Sequence, residues 1–402
     1  MSYTKTCMMR TLFYKSICLL LIAFFLVSCE KNMVSGEKTA EMAEMADMMN
    51  AAVTGPQPGA GDSTVPAGMI TAGEWNDLEH WDFWQKLMSN DTLNKFQQEW
   101  GFYCTRKWEF TVKDISGQLV SDATVIIKSN GQITWEGKTN KFGKLAVIPS
   151  IFSATIPAEL IYTIKYKNNN YNTGSLTAAI PAVSVTLPVA AANSNTVDVM
   201  FVVDATGSMG DEINYLKTEL LDVLNRADNS LPGTLRFASV FYRDFNDEYV
   251  TRTKGFSDSK SGIVDFVKAQ QANGGGDWPE AVEEALKEAM KQDWSSSAKA
   301  RILFLVLDAP PHQDEQKMQL VREQVKLAAS KGIMVIPVTA SGIDKSTEFL
   351  LRFMAQATNS TYTFITNHSG IGNHHITATV GNYQVEYLND LMVRLILKYG
   401  GN

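Results

Sequence analysis

Cysteine is scarce in this 402-residue chain, which carries four: Cys7, Cys18, Cys29 and Cys104. Only Cys104 lies beyond position 29, so no internal disulfide framework can staple the body, and folding must rest on hydrophobic cores, helped by any bound metal. Basic charge is also in short supply, with 36 Lys and Arg against 43 Asp and Glu and a net charge of −7. No basic run is present, and the chain is not read as a nucleic-acid binder. Long apolar runs are missing too: the segment Ile17–Val27 is too short to span a bilayer as a helix. What remains is ordinary for globular protein, 45% hydrophobic and 20% charged, on a length that suits two or three domains.

The apolar segment follows Lys5, Arg10 and Lys15 and ends on small residues, the pattern of a secretory signal over residues 1–28. The ending Leu26-Val27-Ser28-Cys29 resembles a bacterial lipobox. That resemblance implies acylation of Cys29 and an exported protein lipid-anchored to a bacterial membrane, on the periplasmic face or at the cell surface. Loss of residues 1–28 leaves 33 basic against 43 acidic side chains, a net charge of −10.

Residues 29–70 read as a flexible tether rich in Gly, Pro, Ala and Met, and coil of this length reaches on the order of 35 Å. Residues 71–103 hold four of the eight tryptophans. Thr71 and Glu74 fit a capping box, and Trp75, Leu78, Trp81, Trp84 and Leu87 then recur at three-residue steps. After a break at 89–92, Leu93, Phe96 and Trp100 continue the pattern, so a helical hairpin clamping the next domain is expected. Large aromatics at such spacing pack a core more often than they form a sugar-binding platform.

Residues 104–190 switch to period two. WEFTVKD, DATVIIKS, QITWEGKT, KLAVIPS, LIYTIKYK and VSVTLP are candidate strands separated by Ser-Gly, Asn-Gly and Asn-rich punctuation, which implies an antiparallel β-sandwich. The stretch from Val112 to Val147 resembles the carboxypeptidase-regulatory or Ig-like modules of surface proteins, and holds no cluster of catalytic types. It is read as a spacer or accessory binding module.

From residue 196 to 402 strands and helices alternate, the pattern of a doubly wound, Rossmann-like α/β domain. The chain is therefore expected to be multidomain, a β-sandwich followed by an α/β domain. In such sheets ligands bind beyond the carboxyl ends of the strands. Three acids fall there: Asp204 ends VDVMFVVD, Asp308 ends RILFLVLD, and Asp277 sits in GGGDWPEAVEEAL. Thr206 and Ser208 complete the loop Asp-Ala-Thr-Gly-Ser. A charge at the end of a buried strand is costly unless paired. An all-oxygen donor set suits Mg²⁺, Ca²⁺ or Mn²⁺ rather than zinc.

At these residues the chain resembles the von Willebrand factor type A domain. The metal-ion-dependent adhesion site of that family has Asp-x-Ser-x-Ser in one loop, Thr in a second and Asp in a third. Asp204, Thr206 and Ser208 match the first loop, with Thr in place of the first Ser, and Asp308 matches the third. Asp277 stands where Thr is expected. The resemblance implies a divalent cation held by Asp204, Thr206, Ser208, Asp277 and Asp308. Its open position would take a carboxylate from a protein or glycan partner. A third direct carboxylate would leave the site net negative and repel an acidic ligand, so Asp277 either acts through water or marks a different use.

Asp244, His312 and His368 lie at the same edge as candidate second-sphere or ligand-edge residues, and Asp244 with Asp247 and Glu248 could hold a neighbouring Ca²⁺. His374 and His375 share the loop of His368, in a spacing that matches no zinc pattern. The reading is a membrane-anchored adhesion or assembly protein, with no catalytic residue assigned. Two alternatives stand beside it. One is a phosphoryl-transfer or other hydrolase: Asp204 would be the nucleophile, though Thr206 stands where an acid is wanted, and a Ser208, His312, Asp308 set lacks the nucleophile elbow. The other is a non-metal envelope scaffold.

Overall fold

The computed structural model describes residues 66–401 apart from 193, 372 and 373; the signal segment, Cys29 and nearly all of the tether lie outside the described residues. Where the capping-box reading starts a helix, the chain forms a strand, β1 (Thr71–Trp75). It pairs antiparallel with Tyr362–Ile365 on one side and Val385–Tyr387 on the other. Tertiary pairing overrides the local helix signal here. Gly73 is part of the reason: a Cβ there would come within 2.7 Å of the Phe364 and Tyr383 rings. The helical face begins later, in α1 (Trp81–Met88) and α2 (Asp91–Trp100), the second capped by Asn90, whose side chain accepts from Thr92 N.

Trp84 and Trp100 are fully buried and belong to the core rather than to an aromatic platform. Trp84 Nε1 donates to the Cys104 carbonyl at 3.1 Å, and Trp100 Nε1 to Ser346 Oγ at 2.8 Å. Asp77, in the turn after β1, makes a buried bidentate pair with Arg352, at 2.9 Å through Nε and 2.6 Å through the second nitrogen.

The next strands are β2 (Trp108–Lys113), β3 (Thr124–Ser129), β4 (Gln132–Lys138), β5 (Lys144–Val147), β6 (Ile161–Tyr166), β7 (Asn169–Ser175) and β8 (Ala182–Thr186). They form two small sheets, in the orders β5-β2-β8 and β4-β3-β6-β7. Phe110 of one meets Tyr162 of the other edge-on at 5.2 Å. Two features differ from the sequence reading. β2 and β8 pair in parallel, since the chain leaves β2, builds the other sheet and returns by a long crossover. β7 occupies the Asn-rich stretch read as punctuation: Lys167 and Asn168, at φ 47° and 64°, make a tight hairpin turn from β6 into it.

The remaining elements are β9 (Val197–Asp204), α3 (Ile213–Ser230), β10 (Leu235–Tyr242), β11 (Thr251–Ser257), α4 (Lys260–Lys268), α5 (Val282–Lys291), β12 (Ala300–Leu307), α6 (Glu315–Lys331), β13 (Ile333–Thr339), α7 (Lys345–Ala357), β14 (Tyr362–Ile365), β15 (Val385–Tyr387) and α8 (Leu388–Gly400). The sheet runs β11-β10-β9-β12-β13-β14-β1-β15. Its five central strands, β10 to β14 in that order, are parallel, and β11 and β1 run antiparallel to their neighbours. β9 and β12 are buried along their whole length, as their continuous apolar runs require. Val199, Phe201 and Val203 pack with α3, α4 and α8, while Met200 and Val202 join the core of α5, α6 and α7. Helices thus cover both faces. The strand order reverses at β9 and β12, the position where an open α/β sheet leaves a crevice.

Candidate metal centre

The first loop of the crevice grows directly from β9. Asp204 is fully buried, and its Oδ1 accepts from Thr206 N at 2.8 Å and Thr206 Oγ1 at 2.6 Å. Thr206 Oγ1 lies 3.1 Å from Ser208 Oγ, so the three side chains form one connected row. Ser208 is exposed at the open end.

A second loop packs against the first through backbone. Gly207 N donates to the Gly274 carbonyl at 3.0 Å and Asn273 N to the Ala205 carbonyl at 3.0 Å. Gly274 and Gly275 adopt φ 78° and 71°, a region costly for other residues. They are also crowded: a Cβ on Gly274 would meet Asp247 Oδ1 at 2.2 Å, and one on Gly275 would meet Glu280 Oε1 at 2.9 Å and Thr206 Cβ at 3.3 Å. Asp247 ties this loop to the end of β10, its Oδ2 accepting from Asp244 N at 3.0 Å and Gly275 N at 2.8 Å. The third loop, after β12, carries Asp308 and is held by Glu280 N donating to the Pro310 carbonyl at 2.9 Å. Between the loops lies a cleft of ≈ 370 Å³ that Ser208, Asp277, Trp278, Glu280 and Asp308 help to line.

The cleft concentrates negative charge. Burial pushes the Asp204 carboxyl up to about 6, and Asp244 pushes the same way. Asp308 rises to about 8 through burial and then through Asp204 and Glu212. Glu280 rises to about 9 through burial and the nearby Asp204, Asp244 and Asp308. The buried oxygens Asp204 Oδ2, Asp308 Oδ1 and Glu280 Oε2 have no hydrogen-bond partner among the described residues. The nearby Arg243 guanidinium donates to the carbonyls of Ala205 and Gln271. Orphaned, crowded, oxygen-only carboxyls are what a hard divalent cation would satisfy, and this donor set fits one.

The sequence-derived residues are thus divided by the fold. Asp204, Thr206, Ser208 and Asp308 meet at the cleft. Asp277 is exposed at its rim, and its carboxylate groups with Asp244 and His312, the ligand atoms of the three lying within 4.8 Å of one another. His368 is exposed and contacts Thr366. The buried histidine of that loop is His375, whose Nε2 lies 3.3 Å from Glu212 Oε1. Glu280 and Glu212 were not among the expected site residues. Glu280 carries a readable signal, an acid just after a glycine-rich loop at the sheet's carboxyl edge; Glu212 looks like an ordinary residue at a helix start.

Comparison with known proteins finds relatives of part of the chain. Two curated relatives are an ariadne-like RING finger protein of Acanthamoeba polyphaga mimivirus, 31% identical over 121 residues, and an alpha-protein kinase of Dictyostelium discoideum, 32% identical over 127 residues. Each match covers 30% of this chain but only 12% and 20% of those proteins. Among solved structures, BatB of Bacteroides thetaiotaomicron is similar at 13% identity and a TM-score of 0.34, over 50% of this chain and 98% of that one. The family match itself spans residues 198–377, from β9 past β14, and takes in all three loops of the cleft. The chain contains a von Willebrand factor A domain.

Proposed function

We propose that the cleft binds a divalent cation, Mg²⁺ first among the candidates, and uses it to engage a carboxylate of a protein or glycan partner. Asp204, Thr206, Ser208 and Asp308 would hold the ion, with Glu280 rather than Asp277 as the third carboxyl nearby. The observation that carries this reading is the set of buried carboxyl oxygens without hydrogen-bond partners, Asp204 Oδ2, Asp308 Oδ1 and Glu280 Oε2. Once bound, the ion supplies positive charge to an otherwise acidic cleft and so a reason for an acidic group to enter it. Ser208 stays exposed at the mouth, where an entering group would meet the ion.

The two facing sheets of residues 108–186 are read as a β-sandwich module that accompanies this domain, and Cys29 as the point of lipid attachment to a bacterial envelope. Among the described residues no helix is long and apolar enough to cross a membrane. Mn²⁺ titration followed by electron paramagnetic resonance tests the site. The wild type should take up more of the free-ion signal than Asp204→Ala, and added glutarate should change the bound-ion spectrum. Equal uptake by both proteins would overturn the assignment.

A further inference from the structure

We infer that Asp244, Asp277 and His312 form a second metal centre, distinct in chemistry from the oxygen-only cleft and suited to a first-row transition ion such as Zn²⁺. One ligand atom from each lies within 4.8 Å of the others. The three come from different loops, after β10, in the glycine-rich segment and after β12. Ligand atoms about 2.1 Å from a shared ion sit about 3.0–3.5 Å apart. His312 Nε2 and Asp244 Oδ1 already stand at 3.4 Å, and exposed Asp277 offers a carboxylate oxygen within 4.8 Å of both residues' ligand atoms.

Two further observations point to a ligand rather than to an acidic surface. Asp244 is 94% buried, and its Oδ1, the atom facing His312, has no hydrogen-bond partner among the described residues. The imidazole is also aimed: His312 Nδ1 lies 3.1 Å from Oε1 of the fully buried Glu283. A carboxylate on one ring nitrogen fixes the tautomer and turns the other nitrogen toward an ion, the usual support of a histidine metal ligand. Lys317 Nζ, 3.6 Å from the same Glu283 oxygen, gives that carboxyl a cationic neighbour. One imidazole with two carboxylates favours Zn²⁺ and its neighbours over Mg²⁺ or Ca²⁺, and three protein ligands leave a position open for water or a partner atom.

The test uses the full chain, freed of metal and titrated with Co²⁺ as a visible probe in the presence of saturating Mg²⁺. Wild type should develop the d–d absorption of a nitrogen-ligated ion and lose it on addition of Zn²⁺. Asp204→Ala should keep the band, which separates this centre from the cleft site. His312→Gln should lose it, and Glu283→Gln should weaken Co²⁺ binding by about 10–100-fold. Circular dichroism reports whether each variant is folded, and partly exposed His312 can change without opening the core. A folded His312→Gln with an unchanged band, or a wild type with none, would overturn the assignment and leave His312 as an ion-pair partner between Asp244 and Glu283.

Discussion

Asp204 accepts two hydrogen bonds from Thr206 through Oδ1 and none through the buried Oδ2. A carboxylate that served only to cap the following turn would need the first oxygen alone. The second oxygen, with its counterparts on Asp308 and Glu280, is a cost to the fold that the proposed cation would relieve.

The first expectation is a pH dependence of the metal-free protein. Glu280 moves from 4.5 to about 9 and Asp308 from 3.8 to about 8 on folding. The folded state therefore keeps protons that the unfolded state releases across that window. The sign follows: stability falls as pH rises from about 4 to about 9 and levels off above it. Urea unfolding in EDTA should show a lower midpoint at pH 8.5 than at pH 5, and Glu280→Gln should flatten the difference.

A backbone expectation concerns Gly275. At φ 71° an alanine is strained, and its Cβ would press on Glu280 Oε1 at 2.9 Å. Gly275→Ala should cost about 1–2 kcal/mol in unfolding free energy and should also weaken cation binding, because Glu280 and Thr206 are what the methyl displaces. Calorimetric titration with Mn²⁺ reads the second effect separately from the first.

Outside the lining of the cleft, Asp77 and Arg352 are 4% and 0% exposed and form a bidentate pair. Removing Asp77 takes away the bidentate counter-charge of a buried guanidinium, leaving it Glu348 Oε1 at 3.6 Å and the Thr379 carbonyl at 2.7 Å. Asp77→Ala should destabilise the protein by about 3–5 kcal/mol in denaturant unfolding, with no change in cation affinity once the folded fraction is accounted for.

The α/β half was legible because strands buried on both faces, such as β9 and β12, write continuous apolar runs, and a charge ending such a run stands out. Asp204 and Asp308 could be placed at the sheet's carboxyl edge in this way. Glu280 was not, because it precedes Glu283 and Glu284 at a helix start, where acids ordinarily answer the helix dipole. Asp277 was favoured in its place by its position after the glycines, yet the turn carries it to the rim beside His312. β1 was hidden for another reason: Thr71 to Trp75 has the spacing of a helix start, and only the open edge of β14, nearly 300 residues later, makes it a strand. Pairing over that distance leaves no local trace.

The most direct test of the central claim is thermal unfolding of the full chain in EDTA and in excess Mg²⁺, for the wild type and for Asp204→Ala. A cation that binds only the folded state raises the midpoint by mass action. The account predicts a rise for the wild type and none for Asp204→Ala. A wild-type midpoint that Mg²⁺, Ca²⁺ and Mn²⁺ all leave unmoved would contradict it, and Asp204 would then be a cap on a strand-to-helix turn.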